Sequence, residues 1–281
     1  MEKDFKSGLK QGGIIVAVML VVALVALLFI PAKELLPSLT PTEQTQPTLP
    51  TNPFGADDFS YEQGRLVCTA GVAVTGVDVS AYQQDIDWKA VAESGVEFAI
   101  IRVGYRGYTT GELVADEYGR KNLMEAKAAG LKIGAYFFSQ AVSEEEAREE
   151  AAFALEQVEG MLLDMPLAFD WEYISDTART AGVTAKTLTA CTLAFCEEVE
   201  AAGLESMIYF NQSQALERLY LEQLQDYPWW LALYDPTMMF PYRVQLWQYT
   251  STGRVPGIEG NVDINLLFVY DEEPESPSQT D

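Results

Sequence analysis

Pro166-Leu167-Ala168-Phe169-Asp170-Trp171-Glu172 is a short apolar run that ends in two carboxylates spaced two residues apart. A run of this length and composition reads as a buried β-strand. Side chains alternate sides along a strand. Asp170 and Glu172 therefore project together, while Leu167, Phe169 and Trp171 face the other way.

Runs of the same kind recur on both sides of it. Strands are expected at 76–80, 98–105, 132–139, 166–172, 207–210, 229–234, 244–250 and 262–268, and helices at 87–94, 117–130, 144–159, 184–202 and 212–225. Ser143 with Glu146 forms a capping box before the third helix, and Gly130 and Gly203 stand where a helix ends in a left-handed residue. Alternating strands and helices imply βα units with right-handed crossovers. Eight strands with only five helices, the last three strands joined by loops, predict an α/β fold. The expected form is an irregular TIM-like (β/α)5(β)3 barrel. An open doubly wound sheet is the alternative, but no glycine-rich phosphate loop follows the first strand. The seven glutamates between 144 and 159 read as the wet face of a helix.

Catalytic groups of a βα barrel lie at the C-terminal ends of its strands. Asp78 and Ser80 end the first strand, Tyr136 and Phe138 approach the end of the third, and Asp170 and Glu172 end the fourth. Tyr209, Tyr234, and Trp247 with Tyr249 end the fifth, sixth and seventh. Asp263 begins the eighth strand instead of ending it. The connection 251–260 carries no helix to return the chain, so an antiparallel last strand would bring Asp263 back to the same rim. Aromatic faces pack on pyranose rings and carboxylates bind hydroxyls, so this rim suits a sugar.

The chain has 281 residues, 42 acidic against 18 basic, a net charge of −24 and no histidine. The charge argues against nucleic acid or anionic lipid head groups as partners and favours solubility. Without histidine, acid–base chemistry near neutrality must use carboxylates with shifted pKa values, or Lys, Tyr or Cys. One protonated carboxyl beside one anion is the equipment of glycoside hydrolysis. Cys68, Cys191 and Cys196 have no metal-ligand spacing. Cys191 and Cys196 lie on different sides of one helix and do not bridge each other. No metal or cofactor is implied.

Lys3, Lys6 and Lys10 precede an uncharged apolar run over 13–30, about 27 Å long as a helix and close to a bilayer core. Residues 1–12 then form a basic cytoplasmic end and 13–30 a transmembrane anchor, with all that follows outside the cytoplasm. A cleaved signal peptide, giving a secreted protein, is the rival reading. Residues 31–53, rich in Pro, Thr and Gln, form an extended linker. Residues 54–75 are a short extension packed on the domain, 76–270 are the domain itself, and 271–281 are an acidic tail without structure.

An ordered set of segments resembles a known family. It comprises Gly76-Val77-Asp78-Val79-Ser80, Asp87-Trp88, Phe98-Ala99-Ile100-Ile101-Arg102, Gly134-Ala135-Tyr136, Asp170-Trp171-Glu172, Trp230-Leu231-Ala232, Leu246-Trp247-Gln248-Tyr249 and Gly253 through Asp263. Residues 76–270 are similar to the family 25 glycoside hydrolases, the Chalaropsis-type lysozymes or N-acetylmuramidases. A histidine often follows the tyrosine of the third strand in that family; Phe137 stands there in this chain. The resemblance implies hydrolysis of the β-1,4 bond between N-acetylmuramic acid and N-acetylglucosamine in peptidoglycan by a monomer. Glu172 is then the general acid in the drier position. Asp170 stays ionised, either stabilising the cationic centre or orienting the substrate's N-acetyl group as nucleophile, and Asp78 and Asp263 surround the pair. Tyr136, Tyr209, Trp230, Tyr234 and Trp247 are expected to shape the sugar subsites. A non-catalytic glycan-binding protein on the same barrel is the competing reading. A chitinase-like reading requires another acid two residues before Asp170, where Ala168 stands.

Overall fold

The computed structural model describes residues 49–270. The expected anchor, the linker up to residue 48 and the acidic tail lie outside the described residues. Eight strands close into a barrel: β3 (Val72–Val79), β4 (Phe98–Arg106), β6 (Lys132–Ser139), β7 (Leu167–Trp171), β8 (Ser206–Asn211), β9 (Trp229–Ala232), β10 (Leu246–Gly253) and β11 (Val262–Val269). All neighbours from β3 through β10 in chain order run parallel. β11 then runs antiparallel to both β10 and β3 and closes the ring. In its register Asp263 stands opposite Asp78, so the last strand does return its aspartate to the rim.

Five α-helices occur among the described residues: α1 (Trp88–Glu93), α2 (Gly119–Ala128), α3 (Glu144–Val158), α4 (Ala185–Ala201) and α5 (Gln212–Arg218). Asp87, Ser143, Thr184 and Asn211 each accept a backbone N–H in the first turn of α1, α3, α4 and α5. These caps fix where each crossover begins. Gly203 follows α4 at φ +83°, a conformation costly for any residue with a Cβ. The capping box on α3 is half made. Ser143 accepts from Glu146 N, but the Glu146 carboxylate takes Val142 N and Arg179 instead. α5 stops at Arg218 because Leu219 turns extended, and Tyr220 N donates to Thr189 of α4.

The period-two pattern divides the core. Phe98, Ile100, Ala168, Met207, Tyr209, Trp230, Ala232 and Leu246 pack together inside the barrel. Gly76 makes room for them: a Cβ there would come within 2.2 Å of the Phe98 ring. The alternate residues, such as Val77, Ile101, Phe137, Phe169, Trp171 and Phe210, form the larger core between barrel and helices. Glu150 corrects the reading of α3 as carrying only wet glutamates. It is fully buried, bonded to Arg106 Nε at 2.7 Å and to the Ser139 hydroxyl, and burial pushes its pKa up to about 7.

Among the described residues no helix packs closely on β10 or β11. A hairpin, β1 (Phe59–Glu62) paired with β2 (Arg65–Cys68), occupies that side instead. Phe59 packs on Trp247 with ring centroids 5.0 Å apart, and Leu66 N donates to the Tyr249 hydroxyl. A short strand not anticipated from sequence, β5 (Leu113–Ala115), pairs antiparallel with the end of β4 and raises one wall of the mouth.

Candidate active site

Four carboxylates converge at the C-terminal end of the parallel strands. Asp170 makes the last pair of the β7–β8 ladder, opposite Tyr209, and Glu172 lies just past β7. Asp78 and Asp263 face each other across β3 and β11. Each of the four has its pKa raised, first by burial. Their mutual charges add to this: Asp263 acts on Asp78 and Glu172, and Glu172 acts on Asp170. Asp263 is pushed up to about 6. Like charges crowded in a dry site resist simultaneous ionisation, so the cluster retains protons toward neutrality. Such groups titrate together.

The depth order differs from expectation. Asp170 is the drier member, 5% exposed, while Glu172 is half-buried. The reason is local: Asp170 is still held in the strand ladder, and Glu172 has stepped beyond it toward solvent. The Arg102 guanidinium is the charge that works against the rise at Asp170. One oxygen of Asp170, Oδ1, is buried with no hydrogen-bond partner.

Asp78 is fixed from below. Its Oδ2 accepts from Gln248 Nε2 at 2.8 Å and from Asn265 Nδ2 at 2.7 Å. Both amides are oriented by their other ends. Gln248 Oε1 accepts from the hydroxyls of Tyr209 and Tyr234, and Asn265 Oδ1 accepts from Trp230 Nε1. Tyr136 and Tyr209 stand edge-on to Trp230 at centroid distances of 5.9 and 4.9 Å. Tyr136, Tyr209, Trp230 and Tyr234 thus join one network under the carboxylates, with Trp230 as its buried floor and Tyr234 exposed at its edge.

Residues 77–258, more than half of the chain, match the family model described as glycosyl hydrolases family 25. The chain belongs to that family. Over 216 residues it is 28% identical to the uncharacterized protein YegX of Escherichia coli O157:H7, covering 73% of each chain. The modular autolysin LytC from Streptococcus pneumoniae superposes with a TM-score of 0.63 at 25% identity, over 75% of this chain. This chain spans about half of that autolysin, 52% of its length. The bacterial lysozyme from Streptomyces coelicolor superposes with a TM-score of 0.56 at 26% identity, covering 71% of this chain and 93% of the lysozyme.

One expected site residue of this family 25 domain lies elsewhere. Trp247 is fully buried on the outer side of β10, packed on Phe59, with Nε1 donating to Leu233 O at 2.8 Å. Leu246 and Gln248 face the bore, so parity turns Trp247 and Tyr249 away from it, and Trp247 meets no sugar in the mouth. Gln248, Asn265 and Arg102 are the site residues that sequence reasoning passed over. The same parity was the signal for them: Phe98, Ile100 and Arg102 alternate into the bore along β4.

Arg102 forms a charged wall of the mouth. Its Nε donates to Asp116 Oδ2 at 2.8 Å, and its guanidinium lies 5.4 and 5.2 Å from the ring centroids of Tyr82 and Tyr105. A cleft of about 660 Å³ continues from there along Tyr82, Tyr108, Phe138 and Ile174. Tyr82 is 83% exposed and forms an open aromatic wall of this cleft. Among the described residues no group of three His, Cys, Asp or Glu side chains is arranged to hold a metal ion. Cys68, Cys191 and Cys196 are all free.

Proposed function

We propose that this family 25 domain is a peptidoglycan hydrolase of the lysozyme type, an N-acetylmuramidase, with Glu172 as general acid. The observation that carries it is the carboxylate cluster at the barrel mouth, in a chain without histidine. Glu172 lies just past β7, half-buried and with a raised pKa, where a glycosidic oxygen can take its proton. Asp170 lies deeper and keeps Oδ1 free as an acceptor, which suits the N–H of a 2-acetamido group. As positive charge develops on the sugar, the ionised form of Asp170 becomes favoured, and its proton moves to the other carboxylates. Asp78, locked by Gln248 and Asn265, and Asp263 take up that proton sharing. The autolysin LytC has also been solved with a synthetic peptidoglycan ligand, which supports the choice of substrate.

The apolar segment 13–30 after three lysines supports a further reading: a single-pass anchor with the barrel outside the cytoplasm, on the side of the wall. Among the described residues no helix is long and apolar enough to cross a membrane, and 13–30 lies outside them. The chain acts as a monomer in this reading.

The test is digestion of purified peptidoglycan by the full chain and by Glu172→Gln, with new reducing ends identified by mass spectrometry. Muramic acid ends that fall at least about 100-fold in the variant are expected for loss of a general acid. N-acetylglucosamine ends overturn the bond assignment. Binding without products moves the domain to the glycan-binding reading.

A further inference from the structure

Glu172 shares a side with Asp170 only while the backbone between them stays extended. Yet β7 ends at Trp171. The β6–β7 ladder stops at the Ser139–Trp171 pair, and the β7–β8 ladder at Asp170–Tyr209. Two buried side-chain amides continue it. Gln140 Nε2 donates to Glu172 O at 2.8 Å, and Gln214 Nε2 donates to Trp171 O at 2.8 Å. Gln140 is the residue directly after β6, and Gln214 lies in the first turn of α5, directly after β8. Each glutamine thus belongs to the chain that leaves a strand flanking β7, and each supplies a rung where that strand has ended.

Both amides are held in place. Gln140 Oε1 accepts from Thr180 Oγ1, its backbone N donates to Glu150 and its carbonyl accepts from Arg179 at 2.6 Å. Gln214 N is tied to the Asn211 cap at 2.9 Å. Gln214 Oε1 is buried without a partner. An apolar side chain there would leave Trp171 O without its donor, so packing alone does not account for this glutamine.

We propose that Gln140 and Gln214 are positioning residues that hold Glu172 in strand register beyond the end of β7. The proposal rests on Glu172 being the acid. A displaced acid loses proton donation but not substrate binding, so the defect follows the leaving group.

The experiment compares Gln140→Met and Gln214→Met in the full chain on two substrates. One is peptidoglycan. The other is a muramyl aryl glycoside with a 2,4-dinitrophenolate leaving group, which departs without a proton. The expected result is a kcat on peptidoglycan lower by roughly 10- to 100-fold with KM little changed, the scale set by small misplacements of a reacting group. On the aryl glycoside the variants match the parent chain. Equal losses on both substrates, or no loss on peptidoglycan, overturn the proposal. Where Gln140→Met fails to fold, Gln214→Met carries the same comparison at a site that touches the acid through Trp171 alone. Glu172→Gln in the same assays separates the two readings. Full activity of that variant on peptidoglycan removes Glu172 as the acid. Loss on peptidoglycan alone keeps Glu172 as the acid, and the glutamine variants then decide whether its register depends on them.

Discussion

The pKa of Glu172 is raised first by burial and then by the negative charge of Asp263. The proposed role as acid needs the proton, so activity is expected to fall on the alkaline side as Glu172 ionises. Replacing Asp263 by Asn removes the neighbouring charge and lets Glu172 ionise sooner. The alkaline limb of the pH–rate profile on solubilised peptidoglycan is therefore expected to move to lower pH in Asp263→Asn. A limb that stays where it was assigns the transition to another group. At this scale the strand period made Asp78, Asp170 and Glu172 legible, and the chain's need to return without a helix made Asp263 legible. Trp247 was misplaced because its chemistry was weighed before its parity. Gln248 and Asn265 were missed because amides carry no charge to single them out, although they fix the carboxylate of Asp78. The greater depth of Asp170 depends on where β7 ends, which a one-residue difference between expected and observed strand decides.

The β1–β2 hairpin is the element that replaces missing helices. Its Phe59 ring lies against Trp247 and Phe268, and Leu66 is 1% exposed. Phe59→Ala removes an aromatic group from that contact, at an expected cost of about 3–5 kcal/mol, measured by urea unfolding. A loss under about 1 kcal/mol means that the hairpin lies on the barrel without supporting it. All eight barrel strands and five helices could be read from apolar runs and caps. β5 was not, because three residues are too few to show a period. Glu150 was read as wet because composition does not reveal that Arg106 waits on the neighbouring strand.

Among the described residues the interior carries more raised carboxylates than lowered ones. Asp78, Asp170 and Glu172 are raised, Asp263 is pushed to about 6 and Glu150 to about 7. The folded chain holds these protons at pH values where the unfolded chain, whose carboxyls titrate at about pH 4, has released them. Their contribution is complete below that pH and is lost as pH rises through the folded values. Glu146, lowered by its hydrogen bonds to Arg179 and Val142, works in the opposite direction, and its contribution is lost as pH falls. The raised groups outnumber it, and a net charge of −24 adds self-repulsion at high pH. The thermal midpoint is expected to fall between about pH 5 and about pH 7, read by scanning fluorimetry across buffers of equal ionic strength. A midpoint that rises over this interval refutes the protonated interior.

The antiparallel closing strand also gives the molecule two poles. Val269 pairs with Val72 at the end away from the carboxylates, and Pro50 and Tyr270 both gather around Arg243 there: Arg243 N donates to Pro50 O, and its guanidinium lies 3.7 Å from the Tyr270 ring centroid. The described residues therefore begin and end at one pole, and the four carboxylates lie at the other. A domain held by either of these ends would present its open mouth outward, leaving the mouth clear for a bulky polymer.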